Sequence, residues 1–192
     1  MQALTDFGDS AVLLPISVLM LAWLIIARPG RAAIGWAIAL AFLLGSMAAL
    51  KVVLVACSPV ARLESPSGHT AFSILVYGGL AVILLGGRRP DSLRIAGTVL
   101  SAILIVGIAC SRAILGAHSW AEVALGTLVG TVALGIFVYL RGWGHPPVKG
   151  RELGLLLIGL AVLLVLLHGD HLHIEAILRR ISAHLGLRAV CH

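Results

Sequence analysis

Charge is what this chain has least of. Asp, Glu, Lys and Arg make up 11% of its 192 residues, where a water-soluble domain carries about a quarter. With 60% of residues hydrophobic and a mean hydropathy of +1.08, a soluble globule is excluded. Aromatic residues are also few, at 5%. The apolar excess therefore comes from Leu, Ala, Ile and Val together with 22 Gly, the usage of helices packed within a membrane. The three cysteines, Cys57, Cys110 and Cys191, have no metal-binding spacing. Cys57 and Cys110 fall near one membrane surface, where a disulfide is one reading and two small buried hydrophobes the other. Residues 1–10 carry Asp6 and Asp9 but no Lys or Arg. Without the basic start of a signal peptide, the first apolar run is expected to persist in the mature protein. No internal repeat or low-complexity run interrupts the chain, which reads as one membrane-embedded domain over 1–192.

What is present is a series of charge-free runs. Residues 10–27, 32–50, 70–87, 95–111, 123–140 and 153–167 contain no Asp, Glu, Lys, Arg or His. A helix needs about 20 residues to cross roughly 30 Å of hydrocarbon. The pattern predicts an all-α polytopic fold with six transmembrane helices in one bundle. The second helix is expected to continue past Lys51, because Val52 to Cys57 stays apolar. Numbering the connections alternately gathers Arg28, Arg31, Arg88, Arg89, Arg94, Arg141, Lys149 and Arg151 on one side. Short basic loops stay inside, so both termini are expected to face the exterior or periplasm of an inner or plasma membrane. The net charge of +6 follows from this topology and not from binding nucleic acid. Beyond about residue 170, Ile174, Leu178, Ile181 and Leu185 share a helical stripe. That pattern predicts an amphipathic C-terminal helix lying on the outer interface.

Two outer connections carry the chemistry. Pro66-Ser67-Gly68-His69-Thr70 opens the third helix. Unpartnered backbone N–H groups at a helix start suit an anion, Gly68 lets a ligand approach the backbone, and Ser67 adds a hydroxyl. The plainer reading is that Ser67 or Thr70 caps the helix and His69 faces water. Between the fourth and fifth helices, His118 and Glu122 stand four apart on one helical face. There the carboxylate can fix the imidazole tautomer and leave the other nitrogen as base or nucleophile. Arg112 offers a planar fork for two phosphate oxygens. Lys51, about 10 Å from the end of its helix if that helix reaches Cys57, reads as a buried cation awaiting an anionic ligand, or as a snorkelling side chain.

Lys51, then Pro66-Ser67-Gly68-His69, then Ser111-Arg112-x5-His118-x3-Glu122 resembles the signature of the type-2 phosphatidic acid phosphatase superfamily, the lipid phosphate phosphatases. The family pattern is K-x6-R-P, P-S-G-H and S-R-x5-H-x3-D. The resemblance covers 51–122 and departs from the pattern twice. Ser58-Pro59 stands where the family has Arg-Pro, which removes one phosphate-binding cation unless Arg62 reaches in. Glu122 stands where it has Asp. The resemblance implies a metal-independent, cofactor-free hydrolase of a lipid phosphate, monoester or diphosphate, acting at the outer face. His118 would attack phosphorus to give a phosphohistidine, with Glu122 holding its ring. His69 would protonate the leaving oxygen and then activate water. Lys51, Arg112, Ser67 and the Gly68 N–H would bind the phosphate oxygens. Phosphatidic acid, phosphatidylglycerol phosphate, a polyprenyl diphosphate and a lipid A phosphate are all candidate substrates. The missing cation leans toward a monoester.

Other readings stand beside this one. The chain could bind a lipid phosphate without turnover, or pass the phosphate to an acceptor other than water. Ser67 with His118 could form a serine hydrolase pair, although the arginine and lysine would then have no task. His168, His171, His173 and Asp170 could join His69 and His118 around zinc, against which their spacing is poor.

Overall fold

The computed structural model describes residues 7–57, 65–85, 90–142 and 150–167. These form six α-helices and no strand: α1 (Ser10–Ala27), α2 (Arg31–Cys57), α3 (Gly68–Leu84), α4 (Asp91–Ile114), α5 (Trp120–Arg141) and α6 (Gly150–Leu167). Each contains most of one charge-free run, and a helix satisfies its own backbone hydrogen bonds locally. Four helices are long and apolar enough to cross a membrane: Ser10–Ala27, Arg31–Leu54, Asp91–Ile114 and Trp120–Arg141. Gly68–Leu84 is apolar but shorter. The second helix does run past Lys51, to Cys57. The interfacial tail, with its histidines and Cys191, lies outside the described residues, as do Ser58 and Arg62.

Helix ends follow local chemistry. Asp9 caps α1, its Oδ1 accepting from Ala11 N at 2.8 Å, as an Asx side chain at this position does. Gly30, at φ +97°, supplies the left-handed residue that turns the chain from α1 into α2. Ser119 and Glu122 form a reciprocal capping box at the start of α5.

Small residues decide how the helices meet. α5 packs against α2 and α3, α4 against α3, and α1 against α6 and α3. A Cβ on Gly79 of α3 would lie 2.4 Å from the Trp36 ring of α2, and one on Gly126 of α5 would lie 2.4 Å from the Ser67 carbonyl. Absent side chains thus let backbones and rings approach closely, the packing mode of helices that gain nothing from hiding apolar surface from lipid. At the centre Trp36 is fully buried, meets Phe137 edge-to-face at 5.1 Å, and donates from Nε1 to the Ser17 carbonyl at 3.0 Å. By contrast, α4 keeps Ile95, Val99, Leu100, Ile103 and Val106 exposed. Such a surface is suited to hydrocarbon and not to water. The chain is a membrane protein.

The bundle has two chemically distinct ends. At one, Arg28 after α1 pairs with Glu152 of α6 at 3.3 Å, joining two of the basic connections. At the other lie Asp9 and the starts of α3 and α5.

Candidate active site

The site forms where the start of α3 is tied to the start of α5. Ser67 N donates to the Glu122 carbonyl at 3.0 Å, and Ser65 N donates to Glu122 Oε1 at 2.8 Å. The close approach is permitted by Gly126 and Gly130, one turn apart on α5. A Cβ on either would fall 2.4 Å from the Ser67 carbonyl oxygen or 2.7 Å from that of Ala71. The Gly126-x3-Gly130 spacing is readable in the sequence as a helix-packing motif, and it is what brings the two outer segments together.

Glu122 is the hub. Its Oε2 accepts from Ser119 N at 2.9 Å and sits 3.2 Å from His118 Nδ1, while Oε1 holds Ser65. Glu122 is 6% exposed, so this carboxylate is desolvated and matched by donors on both oxygens. A carboxylate can only accept, so Nδ1 carries the ring proton and Nε2 keeps a lone pair. The longer Glu side chain thus reaches the His118 ring. The turn that presents His118 is itself fixed. The Arg112 carbonyl accepts from Ala117 N and His118 N, both at 3.1 Å, and Gly116 at φ +68° provides the left-handed step that ends α4.

The plainer reading of Pro66-Ser67-Gly68-His69 does not hold. Ser67 occupies the N-cap position of α3 but makes no side-chain cap bond. Its fully buried hydroxyl accepts from Thr70 Oγ1 at 3.0 Å. His69 does not face open water, for its Nε2 is buried and lies 3.7 Å from Asp9 Oδ2. Gly68 begins α3, with its missing Cβ pointing toward Met47 Cε at 3.9 Å. Met47 is one turn before Lys51 on α2, so the half-buried Lys51 follows the crossing of α2 past the start of α3. Arg112, also half-buried, lies in the last turn of α4. Among the described residues no group of three or more His, Cys, Asp or Glu is arranged to hold a metal. Cys110 is half-buried and unbridged, and the Cys57 side chain lies outside the described residues.

Sequence reasoning passed over Asp9, Ser65 and the two glycines of α5. Asp9 is legible as a helix cap, but nothing local to residue 9 indicates that it lies against residue 69.

Residues 55–145 match the PAP2 superfamily. An "Uncharacterized 22.5 kDa protein in cps region" of Klebsiella pneumoniae is 28% identical over 144 residues, covering 73% of this chain and 68% of that protein. No solved structure matches significantly.

Proposed function

Through residues 55–145 the chain belongs to the PAP2 superfamily, whose members are generally phosphatases, and on that premise we propose that it is an integral membrane phosphatase hydrolysing a lipid phosphate at the outer face through a phosphohistidine. The observation that carries the reading is the Glu122 hub. One buried carboxylate takes backbone donors from both outer segments, Ser65 N and Ser119 N, and at the same time contacts His118 Nδ1.

The mechanism follows from that geometry. His118 Nε2 attacks phosphorus in line and forms the P–N bond as the bond from phosphorus to the lipid oxygen breaks. His69 gives a proton to the departing oxygen. Neutral His69 then takes a proton from water as the water attacks phosphorus, the P–N bond breaks and phosphate leaves. Lys51, Arg112, the Ser67 hydroxyl and the Gly68 N–H hold the non-bridging oxygens as charge builds on them. Catalysis by positioning and fixed charge suits phosphoryl transfer, in which there is little covalent chemistry for the protein to perform.

Two features support a lipid substrate at the outer side. The site sits at the bundle end opposite the Arg28–Glu152 pair, and the basic short connections favour the cytoplasmic side for that pair. A half-open cleft of about 490 Å³ also runs between α3, α4 and α5 from Ile105 to Arg94. It begins seven residues, or about 10 Å, along α4 from Arg112. A chain attached to a phosphate at Arg112 would descend toward it. The six-span count and the single-domain organisation over 1–192 belong to the same proposal.

The test is phosphate release from a panel of lipid phosphates by detergent-purified protein in EDTA, with His118→Ala alongside. Release that vanishes in the variant is the expected result. Lipid binding without release would instead favour a member that binds and does not turn over. Loss of lipid phosphate with label passed to another acceptor would identify a transferase.

A further inference from the structure

His118 has its own carboxylate, and so does the second histidine. We propose that Asp9, at the start of α1, is the positioning residue for His69: it holds the ring proton at Nε2 and leaves Nδ1 as the nitrogen that exchanges protons with substrate and water. This rests on the phosphatase reading for its chemistry, while the contact itself is independent of it.

Three observations carry the assignment. First, Asp9 Oδ2 lies 3.7 Å from His69 Nε2, with side-chain exposures of 12% and 17%, and that nitrogen is buried with no hydrogen-bond partner among the described residues. A buried imidazole nitrogen facing a carboxylate across less than 4 Å is one small ring movement from a hydrogen bond. Such contacts are often long before substrate binds and tighten afterwards. Second, Asp9 cannot drift away. Its Oδ1 holds Ala11 N at 2.8 Å, and its carbonyl accepts from Val12 N and Leu13 N at 3.0 and 2.8 Å. Oδ2 is thereby left on the α3 side. Third, the strand of chain before it is pinned to the same helix. Tyr77 donates its hydroxyl proton to the Phe7 carbonyl at 2.7 Å, and Tyr77 lies two turns beyond His69, about 12 Å along α3. Residues 7–9 therefore lie against α3 with one anchor at Tyr77 and the carboxylate at His69.

The other charged groups of the site come from the elements around α3: Lys51 on α2, Arg112 at the end of α4, and His118 with Glu122 at the start of α5. Among the described residues, Glu122 is taken up by His118 and two backbone donors, and Asp9 is the carboxylate placed against His69. In the reaction the proton leaves from Nδ1 to the departing lipid oxygen and returns to Nδ1 from water. The Nε2 proton stays on the Asp9 side throughout, and the ring ends as it began.

The experiment compares Asp9→Asn with the native protein on two esters in the same detergent, dioleoylphosphatidic acid and p-nitrophenyl phosphate. Asn caps a helix as well as Asp does, so the start of α1 is kept. The alkyl oxygen of phosphatidic acid must be protonated as it leaves, whereas nitrophenolate leaves without help. General acid–base catalysis is worth about 10²–10⁴-fold. The variant is expected to lose about tenfold to a hundredfold in kcat on phosphatidic acid while staying within about threefold on the aryl ester. In a His69→Ala background, Asp9→Asn should cost nothing more. Equal loss on both esters, or an undiminished loss in that background, would assign Asp9 a structural role and overturn the inference. A second readout needs no turnover. The ¹⁵N signals of His69, identified by their absence from His69→Gln, should show Nε2 protonated in the native protein and a changed tautomer balance in Asp9→Asn. Identical His69 signals in the two proteins overturn the inference, even if neither ester is hydrolysed and it is the phosphatase reading that has failed.

Discussion

Replacing Gly126 by Ala adds one carbon where the backbone of α3 already stands. The new Cβ would lie 2.4 Å from the Ser67 carbonyl oxygen and 3.2 Å from its carbon. Ordinary contact begins near 3.4 Å, so α5 and the start of α3 must separate by about 1 Å (3.4 less 2.4). No side chain can swing aside, because the obstacle is backbone. The Ser67 N to Glu122 O bond, 3.0 Å in the native protein, then opens to roughly 4 Å, beyond hydrogen-bonding range. Overpacking of this kind costs about 1–3 kcal/mol, and each kcal/mol lowers the melting temperature of a chain this size by about 2–4 °C. A 1 Å misplacement of catalytic groups costs on the order of 10²-fold in rate. The assay pairs thermal unfolding in detergent with phosphate release from phosphatidic acid. Gly135→Ala on the same helix is the control, since a Cβ there meets nothing within 4 Å. It should leave activity intact and stabilise the helix by up to about 1 kcal/mol through propensity alone. If Gly126→Ala melts and turns over like the native protein, the close α3–α5 contact does not assemble the site. If Gly135→Ala is as damaging as Gly126→Ala, the distinction drawn from the two environments is wrong.

The remaining predictions concern the polar groups. Glu122→Gln leaves at least one of its donors facing an NH₂ whichever way the amide turns. It should cost about 1–3 kcal/mol for the orphaned donor and about 10²–10⁴-fold in kcat from the lost hold on the His118 tautomer, read by unfolding and by turnover; activity within threefold of native would refute the hub. Arg112→Lys keeps the charge but loses the planar fork, so KM for lipid phosphate should rise at least tenfold while the melting temperature stays put; an unchanged KM would place phosphate elsewhere. Trp36→Phe removes the bond to the Ser17 carbonyl and leaves that buried acceptor one partner short. Unfolding should show a loss of about 1–3 kcal/mol with the site's KM unchanged.

The six helices were legible in the sequence because each is built on a long run without charge, a pattern local to one helix at a time. The two outer motifs were legible because each is local. His118 lies in the turn before α5 and not on a helical face with Glu122, yet the contact between them appears at 3.2 Å. Continued apolarity from Val52 to Cys57 made the reach of α2 beyond Lys51 predictable. What failed was the plain capping role of Ser67, whose hydroxyl serves Thr70 instead. A hydroxyl at an N-cap position chooses between local partners of similar strength, and its surroundings decide.

Tertiary structure alone decided which distant groups meet. Asp9 and His69 are sixty residues apart, and Ser65 and Glu122 fifty-seven, so no periodicity links them. Their meeting depends on which helix faces which, and in a membrane uniform apolarity no longer specifies that. The choice falls to small features scattered along the chain: a glycine that admits the Ser67 carbonyl, a glycine that admits Trp36, a tyrosine that pins residue 7. The chain's composition determined that it would be a bundle of membrane helices with polar chemistry at one end. The steric fit of α5 on α3 brought Ser65 and Ser67 to Glu122, because only where side chains are missing can two backbones come close enough to share a carboxylate.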